Sequence, residues 1–234
     1  TANGRLNFDW TGTIPFRTIA EFASDLGKST GAISSVEQSH ATPAATVAHN
    51  VNRRDYGEIF SEILDSDLDV VMGTGHPEYD NSGQLVQVED RDFKYVGDEE
   101  TWLKVKNGET KFSFVDSLEG FEALAAGKLA SERIIGFPRV HQTLQARRDR
   151  DVLGAGDTPS GVSRNENVPD LGTMSAGALN VLNQNENGFF AMVEGGAVDW
   201  MGHANNIGRY IEEQVDFNRA VDDVVQWIEG NSSW

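Results

Sequence analysis

The chain has 234 residues, 38% hydrophobic and 24% charged, so it is neither disordered nor fibrous and can bury a sizeable core. A net charge of −18 opposes nucleic acid and anionic membrane as partners, since lysine and arginine supply those attractions. With no cysteine there are no disulfides or thiolate metal sites, and no apolar run approaches the roughly 18 residues of a membrane span.

In chain order, no secretory signal opens the sequence, and TANGRLNFDW reads as the middle of something longer. Pro15 opens a helical pattern, PFRTIAEFASDLGK, with Phe16, Ile19, Ala20, Ala23 and Leu26 on one side and Gly27 as its stop. GAISSVEQSH reads as a strand entering a loop, and Pro43 suits the first turn of the helix that follows. The helix EIFSEILDS then leads into the short β-branched run LDVVMGTG.

Residues 76–110 break this rhythm with polar turns, KFSFVDSLEGFEALAAGK and ERIIGF resume it, and 138–170 reads as a long irregular excursion. LGTMSAGALNVLNQNENG is a helix with a stop, and GFFAMVE is a strand. In the last segment Ile207, Tyr210, Ile211, Val215, Ala220, Val221, Val224, Val225 and Ile228 approximate a helical stripe. The alternation predicts an α/β fold, a mostly parallel central sheet with helices on both faces.

FFAMVEGGAVDWMGHANN (residues 189–206) is the most informative stretch. GFFAMV is short, continuous and apolar, as expected of a strand covered on both faces. Glu194 then sits at its carboxyl end, where open α/β sheets place ligands. After a turn at Gly195 and Gly196, a helix would put Asp199 and His203 at i and i+4 on one face, able to share a divalent cation. Glu194 would offer oxygen to a harder ion such as Mg²⁺. The same residues also suit an acid-rich helix start followed by a capping histidine.

VEGGAVDWMGH (193–203) resembles the metal-binding segment of alkaline phosphatases. QSHATPAATVAHNVNRR (38–54) resembles that family's second block, an Ala-Thr-Pro leading into a helix that carries an arginine. TANGRLN and GKSTGAIS are similar to the segments before it, and the likeness is weakest across 76–170. The resemblance implies that Thr42 and Glu194 are ligands of one Mg²⁺, and that Asp199 and His203 are two ligands of one of two Zn²⁺ ions. Arg53 would grip the phosphate, a task its planar fork suits. His40 and Trp200 match variable positions beside the metals. This His and Trp pairing is similar to that of cold-adapted marine bacterial enzymes, and makes His40 an outer partner of the magnesium site rather than a general base. Without the resemblance, Thr42 before Pro43 could be a helix cap and Arg53 beside Arg54 a solvated surface residue. His49, His76 and His141 match no ligand position.

The family's chemistry also needs a serine nucleophile in an Asp-Ser-Ala setting, an Asp-His dipeptide and a further histidine. Neither Asp-Ser-Ala nor Asp-His occurs in the 234 residues. The resemblance therefore implies a partial catalytic domain over 1–234, with 76–110 and 138–170 as irregular or inserted segments. The expected parent is a periplasmic or secreted homodimer that hydrolyses phosphate monoesters through a phosphoserine, and this chain is expected to be inactive alone. The alternatives are a sulfatase or phosphodiesterase of the same superfamily, against which the His-Ala-Thr-Pro block argues, and a non-catalytic metal- or phosphate-binding module.

Overall fold

The computed structural model describes residues 3–129 and 131–231; Thr1 and Ala2 of the TANGRLN segment lie outside the described residues. Five strands form one parallel sheet: β1 (Ser29–Glu37), β2 (Val70–Thr74), β3 (Ser113–Val115), β4 (Ile134–Gly136) and β5 (Phe189–Glu194). Their spatial order is β3-β4-β2-β1-β5. From β1 the chain crosses to β2 on one side and returns much later as β5 on the other. The carboxyl ends of β1 and β5 therefore flank a point where the strand order reverses.

One face of the sheet is covered by α1 (Ile19–Asp25), α2 (Ala41–Ala44), α3 (Tyr56–Asp65) and α4 (Glu99–Lys106). Ala32, Val71 and Ile135 point into this layer, against Ile59, Phe60, Trp102 and Phe137. The opposite face carries α5 (Leu118–Ala125), α7 (Leu171–Leu182) and α9 (Ile207–Gly230), packed on Ile33, Val70, Met72 and Ile134. This strict alternation along strands apolar on both faces follows from the pleat. Two further helices complete the chain: α6 (Arg150–Leu153), in a connecting segment, and α8 (Gly196–His203), between β5 and α9.

Several expectations change. Helix α1 begins at Ile19 rather than Pro15, because Thr18 and Glu21 form a reciprocal capping box. Phe16 and Pro15 precede it in extended chain, and of the expected apolar side only Ala20 and Ala23 are buried. Gly27 does close the helix, at φ +73°. β5 has helices on both faces, as expected, but is the edge strand of the five and only half-buried along its length. Its continuous apolar run reflects helices above and below it, not a strand on each side.

Residues 76–110 are not wholly irregular, since α4 lies there and sinks Trp102 fully into the core. Segment 138–170 is mostly irregular apart from α6 and is pinned by Arg148, whose side chain is 0% exposed. Arg148 donates to the Ser163, Gln145 and Val162 carbonyls and to Glu212 on α9. α9 does not turn the expected stripe inward. Arg209, Glu212 and Glu213 are buried, while Ile207, Ile211, Val215, Val221, Val225 and Ile228 are exposed. Of the expected stripe only Ala220 is fully buried. Periodicity marks the two sides of a helix but not which faces inward, and here the inward side carries Phe217 and Ala220 beside residues ion-paired to 138–170.

Candidate active site

β1 ends at Glu37, and three residues later His40 caps the single turn of α2, which carries Thr42. β5 pairs with β1 in parallel so that Ser34 lies opposite Glu194. The Ser34 hydroxyl donates to Glu194 Oε2 at 2.6 Å, and Thr42 bonds the same carboxylate. Burial pushes the Glu194 carboxyl above its usual range; the Ser34 and Thr42 bonds oppose that, and the charge of Asp199 adds to it. A half-buried carboxylate beside an exposed hydroxyl presents oxygen donors of the kind Mg²⁺ takes.

The glycines after Glu194 act through space rather than through backbone conformation. A Cβ on Gly195 would lie 2.7 Å from the Phe217 ring, and one on Gly196 would lie 2.8 Å from Val36. Their bareness lets α8 start tight against β1 and α9. On α8, Asp199 Oδ1 and His203 Nε2 stand 3.4 Å apart as an i,i+4 pair, with side chains 72% and 83% exposed. They line an open groove of about 520 Å³ with Tyr210, Gln214 and Phe217. A carboxylate and an imidazole one turn apart, both open to solvent, fit two positions of a tetrahedral zinc site. Among the described residues no group of three or more His, Asp or Glu converges on one ion position.

His40 and Trp200 meet edge to face with ring centres 5.0 Å apart. Burial pulls His40 down to about 4, helped by the Arg53 charge and opposed by Asp199. The imidazole is therefore neutral at physiological pH, and its buried Nδ1 has no hydrogen-bond partner. Arg53 is not on a helix. It lies in the turn between α2 and α3, anchored by its backbone N–H to the Gly4 carbonyl at 2.9 Å, with its side chain exposed. Its charge reaches His40 and Tyr56, whereas that of Arg54 reaches Tyr56 alone of the two.

Thus His40, Thr42, Glu194, Asp199 and Trp200 come together, with Arg53 at the border and His203 one turn out along α8. The other histidines are engaged elsewhere. His49 Nε2 lies 2.9 Å from the Phe16 carbonyl, the buried His76 Nδ1 accepts from the Glu78 backbone N–H, and His141 Nε2 lies 3.2 Å from Asp92.

Glu37 was not singled out from the sequence. It is 0% exposed, and neither carboxylate oxygen has a hydrogen-bond partner within normal range. Burial pushes it up to about 7, with the Tyr95 hydroxyl and the charges of Lys94 and Arg147 opposing. The available signal was a lone carboxylate at the end of an apolar strand, GAISSVE, which is costly unless it has a purpose.

The alkaline phosphatase family profile matches residues 3–233. Among curated relatives, alkaline phosphatase 4 of Bacillus subtilis is 28% identical over 94% of this chain and 41% of its own length. Alkaline phosphatase of Escherichia coli is 29% identical over 92% of this chain and 49% of its own. The chain thus spans less than half the length of either. Among solved structures, alkaline phosphatase from the Antarctic bacterium TAB5 superposes with a TM-score of 0.67 at 26% identity, covering 99% of this chain and 57% of that one. A cold-active alkaline phosphatase from Shewanella gives 0.71 at 24% identity, over 99% of this chain and 48% of that one, a likeness of fold. A histidine-to-glutamate variant of the TAB5 enzyme was solved with Mg bound in the M3 site. With a profile match over nearly its whole length and five parallel strands in the fold of these enzymes, the chain belongs to the alkaline phosphatase family.

Proposed function

We propose that this chain supplies the phosphate grip and part of the metal cage of an enzyme that hydrolyses phosphate monoesters through a phosphoserine. The observation that supports this best is the convergence of Thr42, Glu194, Asp199, His40 and Trp200 at the carboxyl ends of β1 and β5, with Arg53 beside them. Glu194 and Thr42 would hold one Mg²⁺, and Asp199 and His203 would hold one of two Zn²⁺ ions. When bound, the metals supply Lewis-acid stabilisation of the attacking and leaving oxygens.

The chain's own groups do the rest. Arg53 presents a planar fork to two phosphoryl oxygens and holds them in register. His40, neutral and half-buried, packs against Trp200 without adding a competing charge. Ser34 fixes one oxygen of Glu194, so the other is free to face an ion. The serine setting Asp-Ser-Ala and the dipeptide Asp-His are absent from the 234 residues, so this chain by itself turns over no substrate. The proposal extends to a single partial catalytic domain with 76–110 and 138–170 as insertions, a homodimer, and a periplasmic or secreted setting, all supported by family membership.

A zinc titration of the purified chain tests the metal assignment. Weak binding is expected, lost in both Asp199→Ala and His203→Ala. Tight binding indifferent to either change would overturn the assignment. On an aryl phosphate the unaltered chain should show no turnover with zinc and magnesium added, and robust metal-dependent hydrolysis would show that the serine and Asp-His are not needed.

A further inference from the structure

Three cations come from three separate segments near the end of β1: Arg53 from the turn after α2, Lys94 from 76–110, seated over Tyr56 three residues beyond Arg53, and Arg147 from 138–170, seated over Trp200. The charges of Arg53 and Lys94 both act on His40, and those of Lys94 and Arg147 both act on the buried Glu37 three residues before it. Arg147 lies over the Trp200 ring, 5.9 Å from its centre, and Trp200 packs on His40. Lys94 Nζ sits over both the Tyr56 and Tyr95 rings, at 5.2 and 4.8 Å, and bonds the Tyr95 hydroxyl at 3.4 Å. The aromatic faces hold both heads in place, as stacked cations are held.

None of the three forms an ion pair with a carboxylate among the described residues. Yet the chain has 37 acidic residues against 19 basic ones, so unpaired cations converging at one rim run against its composition. Arg148, the next residue after Arg147, is fully enclosed by its carbonyls and Glu212, which fixes the backbone that presents Arg147 outward. Lys94 is placed by Tyr95, itself buried and tied to Ser39 through its carbonyl.

We propose that Lys94 and Arg147 form a second anion subsite beside Arg53, selecting phosphate esters whose leaving group carries a further phosphate or other dense anionic group. This rests on the reading of Arg53 as the phosphate grip. One phosphoryl group would engage Arg53 while the next reaches Lys94 or Arg147, and an uncharged leaving group gains nothing from either. The aromatic seats of both cations add a flat surface to the same rim.

Orthophosphate and pyrophosphate binding to the 234-residue chain, measured by calorimetry in chelator at low ionic strength, tests the subsite without metals. The readout is the ratio of the two affinities. For two partly exposed cations a preference for pyrophosphate of about tenfold is expected. It should fall to about one in the double variant Lys94→Ala with Arg147→Ala, and survive in Lys94→Arg with Arg147→Lys, where charge is kept. Both positions are exposed, and circular dichroism checks that the variants fold. A preference that persists in the double alanine variant, or no preference in the parent chain, overturns the subsite while leaving Arg53 as the phosphate grip. Loss of both anions in Arg53→Ala supports the shared site. Failure of the parent chain to bind either anion overturns both readings.

Discussion

Arg148→Met removes a buried charge whose partners are all identified. The guanidinium is 0% exposed and donates to three backbone carbonyls, the Ser160 hydroxyl and Glu212 Oε2, the last at 2.7 Å. Methionine fills much of the volume, so the loss is chiefly of polar contacts. Glu212 would stay buried with Ser160, through its N–H and side chain, and the more distant Arg209, 3.6 Å away, to hold its charge. Removing one partner of a buried pair costs about 3–5 kcal/mol, because the other charge is left uncompensated. For a chain of this size that corresponds to a fall in Tm of roughly 6–20 °C. Urea unfolding followed by circular dichroism measures the cost. The double change of Arg148→Met with Glu212→Gln should recover part of it, since the orphaned charge goes too. A loss under about 1 kcal/mol, or no recovery in the double variant, would refute the claim that this network holds α9 against segment 138–170.

Arg53→Ala should weaken orthophosphate binding about 10- to 100-fold, from the roughly 1.5–3 kcal/mol of a charge-assisted contact, with Arg53→Lys recovering part and Arg54→Ala changing little; equal, near-parental values for both alanine variants would make Arg53 a surface charge. Burial and the Asp216 charge push Glu213 from 4.5 up to about 7, so the folded chain holds this proton more tightly than the unfolded chain. Its contribution to stability is therefore greatest below pH 4.5 and is lost as pH rises to about 7. Glu213→Gln should raise the melting temperature at pH 8 more than at pH 5, and equal shifts at both would sink the linkage. Gly195→Ala should destabilise the chain by about 1–3 kcal/mol in urea unfolding, because its methyl would overlap the Phe217 ring; an unchanged midpoint would mean the ring has room to move.

Much of the architecture was legible because alternating layers leave strong traces: apolar runs for β1, β2 and β5, stop glycines, and a proline at a first helical turn. The spacing of Asp199 and His203 was legible for the same reason, since i and i+4 on a helix must share a face. The position of Arg53 was less so, because a short apolar run ending in polar residues does not distinguish a continuing helix from the turn that forms. The depth of Glu37 could not be read from a pattern of period two, which gives the face but not the neighbours. Lys94 and Arg147 lie in irregular segments, where no periodicity relates sequence distance to spatial distance. The stripe on α9 misled because a helical period does not say which of two sides turns inward.

The hydrogen bond from Ser34 to Glu194 joins residues 160 positions apart. At synthesis rates of about 5–20 residues per second, β1 emerges roughly 8–30 s before the strand that will lie beside it. During that interval Thr42 is present without the carboxylate it shares, and the crevice between the two strands does not exist. Closing so long a loop precedes any reward from the contacts it makes, so the β1–β5 pairing belongs to the slow, late part of folding. A divalent ion held by Thr42 and Glu194, as proposed, would therefore reward the finished sheet rather than template it. Metal added to a refolding reaction should raise the yield of folded chain without hastening its first collapse.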